Sequence, residues 1–203
     1  LLMFVVVCMG FMGCSEKNEV GFDLDREISV VSREAGSGTR GAFVELAGIE
    51  QKDADGNKVD YTTDEASITN STSVMMTTVA GNEYAIGYIS LGSLDDTVKA
   101  VKINGVAPSV ENIMAGSYEI VRPFNIATKA DLSEIAQDFI DFILSSEGQA
   151  VVEETGFIAV ADAQNFTTQK PEGKVIVAGS SSVTPVMEKL KEEYLTFNPN
   201  AAI

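Results

Sequence analysis

The sequence contains no histidine, no tryptophan and only two cysteines among its 203 residues. Without histidine, the chain cannot build a Ser-His-Asp or Cys-His catalytic group or a histidine-ligated zinc site. Two cysteines are too few for a four-cysteine zinc or iron–sulfur site. A redox or hydrolytic enzyme is therefore disfavoured, and we predict no catalytic residue, no metal site and no cofactor.

Basic residues are scarce as well. The chain carries 14 lysines and arginines against 30 aspartates and glutamates, which gives a net charge of −16. Nucleic acid requires a basic surface, so we predict no nucleic-acid partner. A small anion is not excluded, because nearby amides and one arginine can outweigh a diffuse charge that salt screens over about 8 to 10 Å.

A long hydrophobic segment is lacking too. The apolar run at residues 1–11 is shorter than the roughly 20 residues that span a membrane, but it is typical of a secretion signal. Neither an initial Met nor a basic segment precedes it, so we expect a truncated start. Gly13-Cys14 resembles a bacterial lipobox, which implies cleavage before Cys14 and a lipid on its sulfur. Residues 15–26 are acidic and polar, and we interpret them as a tether.

A strand, a glycine-rich loop and a helix are predicted in sequence from Ile28 to Phe43. The β-branched Val30 and Val31 favour a buried strand. Ser37 is a good N-cap for the helix that follows. We expect the inner face of that helix to be formed by three apolar residues, namely Ala42, Phe43 and Leu46.

This loop has the properties of an anion site. Gly36 and Gly38 allow the backbone to approach a ligand closely. The start of a helix presents unpaired N–H groups and a partial positive charge. Arg33 adds a planar guanidinium that can hold a tetrahedral oxyanion through two hydrogen bonds. A phosphate-sized anion is therefore the predicted ligand, although a capped turn beside a surface arginine would produce the same pattern.

Two better-known phosphate motifs fit the loop less well. A P-loop requires a lysine that this segment lacks. Gly36, Gly38 and Gly41 have the spacing of a dinucleotide fingerprint, but the long, charged Arg40 precedes the third glycine. No clear second strand with an acidic end follows, which disfavours a dinucleotide site.

A second loop of the same type follows Lys174. A strand over 174–177 leads into Gly179 and three serines, and a helix begins after them. The helix carries apolar residues three and four positions apart, as a core-facing side should: Met187, Leu190, Tyr194 and Phe197. Two loops of one physical type predict two halves of one anion site.

The residues between the loops predict a mixed α/β domain. Asp53, Asp55 and Asn57 suggest a calcium loop, but Gly56 precedes the third ligand position and the closing Glu is missing, so we predict a tight turn. The remaining predicted strands and hairpin, in chain order, cover 84–91, 98–106 and 120–127.

Helices are predicted at 74–80 and 110–114, and two more are predicted to begin with capping boxes at Asp131 and Ser146. The first of these two carries Ile135, Phe139, Phe142 and Ile143 at helical spacing, which predicts a core stripe.

The segment SREAGSGTRGAF at residues 32–43 resembles the second-domain anion loop of the phosphate-binding lipoproteins that serve Pst-type ABC transporters. The AIGY segment at 85–88 and the segment FILSSEGQAVVEETGFI at 142–158 resemble the same family. The resemblance implies an α/β fold of the type-II periplasmic-binding-protein kind. One nearly complete lobe would be followed by the first strand and helix of a second lobe.

The resemblance also implies phosphate ligands. In the first loop they are Arg33, Ser37, Gly38 and Thr39. In the second loop they are Ser181 and Ser182, with Ser180 beside them. Ala35 stands where many members carry an aspartate that accepts a hydrogen bond from protonated phosphate.

The order of the two loops differs from the common arrangement of the family, in which the second loop comes first. We therefore expect a rearranged or permuted chain, or one that carries an extra half-domain, with a truncated C-terminus. The predicted divisions are a lipoprotein signal (1–14), a tether (15–26), a phosphate-binding lobe (27–160), a linker (161–173) and the start of a second lobe (174–203).

The function that the resemblance implies is extracytoplasmic binding of inorganic phosphate for uptake by an ABC transporter. The expected partners are phosphate, the permease subunits and, through the lipid on Cys14, the cell membrane. A surface lipoprotein of the same fold with a phosphate-sensing or adhesive role is the alternative, as is binding of another tetrahedral oxyanion.

Overall fold

The computed structural model describes residues 22–203. The predicted signal and the lipidation expected at Cys14 lie outside the described residues. The described strands are β1 Ser29–Arg33, β2 Glu50–Lys52, β3 Lys58–Asp60, β4 Ser67–Thr69, β5 Ala85–Ile86, β6 Gly173–Lys174 and β7 Ala201–Ala202. The described α-helices are α1 Gly38–Leu46, α2 Thr72–Ala80, α3 Val110–Met114, α4 Glu134–Ile143, α5 Ser146–Glu154 and α6 Thr184–Phe197.

A parallel three-stranded sheet in the order β4-β1-β5 forms the first part of the structure. The central strand pairs Val31 with Ser67 on one side and Val30 with Ile86 on the other. Parallel neighbours need crossover connections, and helices α1 and α2 lie in these connections and contact β1. Val31 is buried together with Val44 of α1 and Met75 of α2.

Three helices form the second part. A buried cluster joins α4 to α6, and it consists of Ile135, Phe139, Phe142, Ile143, Val186, Leu190 and Tyr194. The ring of Phe142 packs against those of Tyr194 and Phe197, with centroid distances of 5.5 and 5.6 Å. The helix that follows the second loop therefore packs on the α4–α5 pair, and the apolar stripe predicted for α4 is confirmed.

Serine side chains begin helices α1 to α5. Each accepts a hydrogen bond from a backbone N–H of the first turn, which satisfies one of the donors that a helix start leaves unpaired. These N-caps are Ser37, Ser71, Ser109, Ser133 and Ser145. The cap predicted at Ser37 is confirmed. The caps predicted at Asp131 and Ser146 are wrong, because the hydroxyls of Ser133 and Ser145 occupy the capping positions.

Four strand predictions are wrong in extent. Of the hairpin predicted at 98–106, the described residues form only an isolated bridge between Ile103 and Val106. Residues 120–127 form no strand in the part of the chain that the structure describes, and Phe124 is 54% exposed. Pro123 has no N–H to donate to a ladder, and no neighbouring strand pairs with this stretch. Of residues 84–91 only Ala85–Ile86 is a strand. Of 174–177 only Lys174 lies in one, and Ile176 is 83% exposed.

The buried side of α1 differs from the prediction, whereas the turn between β2 and β3 agrees with it. Leu46, expected on the inner face of α1, is 38% exposed, whereas Val44 is 3% exposed, because the buried side of the helix is rotated from the predicted one. Gly56 has a φ of 85° in the turn between β2 and β3, so the predicted tight turn is confirmed. No helix within residues 22–203 is both long and apolar enough to cross a membrane.

We expect Phe142→Ala to lower the free energy of unfolding by about 3 to 5 kcal/mol, because the ring is fully buried and its removal leaves a cavity between α4 and α6. Urea unfolding measures the change. Leu24→Ala is the control, since Leu24 is 87% exposed and the loss should stay within about 0.5 kcal/mol. Equal losses in the two variants would contradict this core.

Candidate anion-binding site

The two glycine-rich loops meet in the folded chain. The first follows the end of β1, and the second precedes α6. They line one cavity of about 460 Å³. The residues around it are Arg33, Glu34, Gly36, Ser37, Gly38, Asn70, Gly179, Ser180 and Ser181.

Side-chain hydrogen bonds connect the loops directly. Nη2 of Arg33 donates to Oγ of Ser181 at 3.0 Å. The hydroxyl of Thr39 donates to Oγ of Ser182 at 3.1 Å and lies 3.3 Å from Oγ of Ser180. The structure therefore brings together the site residues that the sequence predicted in the two loops.

Arg33 is the buried centre of this arrangement, with 1% of its surface exposed. Nε and Nη2 both donate to the carboxylate of Glu34 at 2.9 Å. Nη1 donates to Oγ1 of Thr72 at 3.4 Å. A buried charge is tolerated when its donors are paired, and here each guanidinium nitrogen has a partner.

The backbone of Arg33 is held as well. Its N–H donates to the hydroxyl of Tyr88 at 3.1 Å, and its carbonyl accepts from Nη1 of Arg40 at 2.8 Å. The Tyr88 ring stacks on Phe43 of α1 with a centroid distance of 4.2 Å. The position of the guanidinium is thus fixed through the main chain and not only through its own hydrogen bonds.

Glu34 places a carboxylate beside the cavity. The hydrogen bonds from Arg33 hold the pKa of Glu34 below its ordinary value, and desolvation opposes them more weakly. The side chain is 37% exposed, so water screens this interaction and only the direction of the shift carries weight. Near neutral pH the carboxylate is ionised and can only accept hydrogen bonds.

The start of α1 contributes donors to the site. Oγ of Ser37 accepts from the N–H of Arg40 at 3.3 Å, which leaves the hydroxyl hydrogen free to donate to a ligand. Gly38 and Thr39 are the first two residues of α1, whose N–H groups have no partner inside the helix. A Cβ on Gly38 would lie 3.4 Å from Cβ of Ser180, so the loops approach closely at this glycine.

Sequence reasoning missed several residues of the site. Glu34, Thr72 and Tyr88 all contact Arg33, and Asn70 lines the cavity. One signal was available for Asn70 and Thr72. They follow β4, which lies beside β1 in the parallel sheet, and ligands gather at the carboxyl ends of such strands.

The chain matches a family model and known proteins over much of its length. A family model for the PBP superfamily domain matches residues 18–147. Phosphate-binding protein PstS 2 of Streptococcus agalactiae is 55% identical over 187 residues, which is 92% of this chain and 63% of that protein. Phosphate-binding protein PstS 2 of Streptococcus pneumoniae is 50% identical over 177 residues, which is 87% of this chain and 60% of that protein. The chain thus spans less than two thirds of the length of these relatives.

Solved structures of phosphate-binding proteins superimpose on this chain. A phosphate-binding protein of a phosphate ABC transporter from Streptococcus pneumoniae superimposes with a TM-score of 0.71 at 49% identity, covering 88% of this chain and 69% of that one. A substrate-binding protein from Clostridium perfringens, solved with bound phosphate, gives a TM-score of 0.57 at 43% identity. It covers 66% of this chain and 52% of the other.

We expect Glu34→Gln to remove part of the pH dependence of stability. The lowered pKa means that Glu34 stabilises the fold above its ordinary value of 4.5, and that this contribution is lost as the pH falls through the folded-state pKa. Urea unfolding at pH 6 and pH 3 should therefore show the wild type more stable than the variant at pH 6 and a smaller difference at pH 3. Glu83→Gln, at an exposed position, is the control. A constant difference between Glu34→Gln and wild type would contradict the Arg33–Glu34 pairing.

Proposed function

The chain belongs to the PBP superfamily, and we propose that it binds inorganic phosphate between its two loops for uptake by an ABC transporter. The observation that carries the proposal is the meeting of the loops around one cavity, with a buried guanidinium, hydroxyls and a helix start on its walls. Such groups stabilise an oxyanion through hydrogen bonds and charge without covalent chemistry.

Two comparisons support phosphate as the ligand. The relatives at 50 and 55% identity carry the name phosphate-binding protein. The similar structure from Clostridium perfringens contains bound phosphate. We assign the phosphate contacts of this chain to Arg33, Ser37, Gly38, Thr39, Ser181 and Ser182.

In the proposed mechanism, phosphate replaces the contacts that the loops make with each other. Nη2 of Arg33 turns from Oγ of Ser181 to a phosphate oxygen, and the hydroxyl of Thr39 donates to the ligand instead of to Ser182. The hydroxyl of Ser181, which accepts from Arg33 in this structure, donates to the ligand. Each hydrogen bond to a charged group contributes about 1.5 to 3 kcal/mol. Several such bonds together stabilise the bound phosphate against the repulsion from the net negative charge of the protein.

We assign the discrimination between phosphate and sulfate to Glu34. Its carboxylate lines the cavity, and its remaining lone pairs can accept a hydrogen bond from a protonated phosphate oxygen. Sulfate carries no proton near neutral pH, so it meets only repulsion there. Glu34 thereby accepts the hydrogen bond from protonated phosphate that the methyl side chain of Ala35 cannot accept.

The location and partners of the protein belong to the same proposal. A lipid on Cys14 would attach the chain to the outer side of the cell membrane, where permease subunits receive the phosphate. We also propose that the chain is divided into a lobe at 27–160, a linker at 161–173 and a second lobe that begins at 174.

The test is calorimetric titration with phosphate and, separately, with sulfate. We expect phosphate to bind and sulfate to bind at least about tenfold more weakly, since one lost acceptor contact is worth about 1.4 kcal/mol or more. The same titrations on the chain lengthened at its C-terminus to the size of the relatives reveal ligands contributed from there. Absence of phosphate binding in both forms would overturn the proposal, and equal sulfate affinity would overturn the role of Glu34.

Variants locate the site. Arg33→Met should reduce phosphate affinity at least about tenfold, because the charge-assisted hydrogen bond from Nη2 is lost. Arg122→Met is the matched control, since Arg122 is about half exposed and pairs only with Glu45 among the described residues. Because Arg33→Met also leaves Glu34 without its partner, Thr39→Val and Ser181→Ala provide independent tests. Full phosphate affinity in both would place the ligand elsewhere.

A further inference from the structure

Arg40 connects the first loop to the hairpin formed by β2 and β3. It is the third residue of α1, and its side chain is 20% exposed. Nε donates to Oδ2 of Asp60 at 2.8 Å, and Nη1 donates to the carbonyl of Arg33 at 2.8 Å. The two bonds use nitrogens that point in different directions, so they depend on the planar fork of arginine.

Asp60 is itself held in place. It ends β3, and its Oδ1 accepts from the backbone N–H of Thr62 at 2.8 Å and from the Thr62 hydroxyl at 2.6 Å. Desolvation raises the pKa of Asp60, but the hydrogen bonds from Thr62 and Arg40 outweigh it, and the net shift is downward. The carboxylate therefore stays ionised near neutral pH, with one oxygen for Thr62 and the other for Arg40.

Arg40 contacts the loop at both of its ends. Its side chain holds the carbonyl of Arg33, and its backbone N–H donates to Oγ of Ser37. The first of these bonds closes a ring around residues 34–39. Ser37, Gly38 and Thr39 belong to this ring. The directions in which their N–H and O–H groups point therefore depend on the bond from Arg40 to the carbonyl of Arg33.

We propose that Arg40 and Asp60 form a positioning pair that keeps the loop from Arg33 to Thr39 in the shape that binds the anion. Nε and Nη1 of Arg40 are occupied by Asp60 and by the carbonyl of Arg33, so the pair acts through the loop and not through contact with the ligand. The inference rests on the proposed phosphate binding. Outer partners of this kind typically change ligand affinity about 10- to 100-fold when they are removed.

The alternative role of Arg40 is to add positive charge near the site. Arg40→Lys separates the two roles, because lysine keeps the charge but cannot reach Asp60 and the Arg33 carbonyl from two nitrogens at once. A contribution from charge alone would leave phosphate affinity unchanged in this variant. The contribution of the Arg40 charge to phosphate affinity would also decrease at high salt, because salt screens interactions between separated charges.

The experiment measures the Kd for phosphate by calorimetry at low and high salt in the full chain. We expect Arg40→Lys and Asp60→Asn each to weaken phosphate binding about tenfold or more at both salt concentrations. The double variant should be no weaker than the worse single variant, because the two side chains act as one unit. Arg122→Lys and Glu45→Gln make the same changes in an exposed ion pair and should bind phosphate like the wild type.

Hydrogen exchange at the amides of residues 36–39, measured without phosphate, gives an independent result. We expect faster exchange in Arg40→Lys and Asp60→Asn, with no change in the two control variants. Thermal unfolding confirms that each variant is folded. Phosphate affinity equal to that of the wild type in both Arg40→Lys and Asp60→Asn would overturn the positioning role. If the wild type binds no phosphate, the proposed function fails, and unchanged exchange would then overturn the positioning pair as well.

Discussion

Burial of the Arg33 guanidinium is the constraint on which the rest of this structure depends. An ionised group with 1% exposure is tolerated only when hydrogen bonds and an opposite charge replace the water that it has lost. Tyr88 and Arg40 hold the backbone of Arg33. The partners of the guanidinium itself come from separate parts of the chain: Glu34, Thr72 and Ser181. Because one buried charge needs all of them, the loop after β1, helix α2 and the second loop converge on a single point.

Two apolar bodies hold the loops that meet there. The first is the parallel sheet with α1 and α2, and the second is the packing of α4 and α5 against α6. Tyr194 fixes α6 within the second body. Its hydroxyl donates to Asp138 at 2.7 Å and accepts from Asn198 at 3.0 Å. Desolvation, aided by Asp138, raises the pKa of Tyr194 to about 12, so it remains a neutral donor at ordinary pH. Rigid apolar supports therefore hold the polar groups of the two loops against each other.

Many local features could be predicted from the sequence, because their causes lie within a few residues. The Ser37 cap, the turn at Gly56 and the apolar stripe from Ile135 to Ile143 depend on side-chain chemistry and helical spacing alone. The predictions that failed needed information from elsewhere. Residues 120–127 have strand-like composition, but a strand exists only where a neighbour pairs with it. The inner face of α1 was misjudged because it is set by what packs against that helix.

The same division applies to the anion site. Glycines, hydroxyls and an arginine at a helix start are a local pattern, so the sequence by itself determined the composition of each loop and the family that the chain resembles. Only the tertiary structure decided that the loops meet, since Arg33 and Ser181 lie 148 positions apart. It also decided that Thr72, Tyr88 and the Arg40–Asp60 pair support Arg33. Parallel strand order and helix packing create these contacts, and neither leaves a signature in the spacing of neighbouring residues.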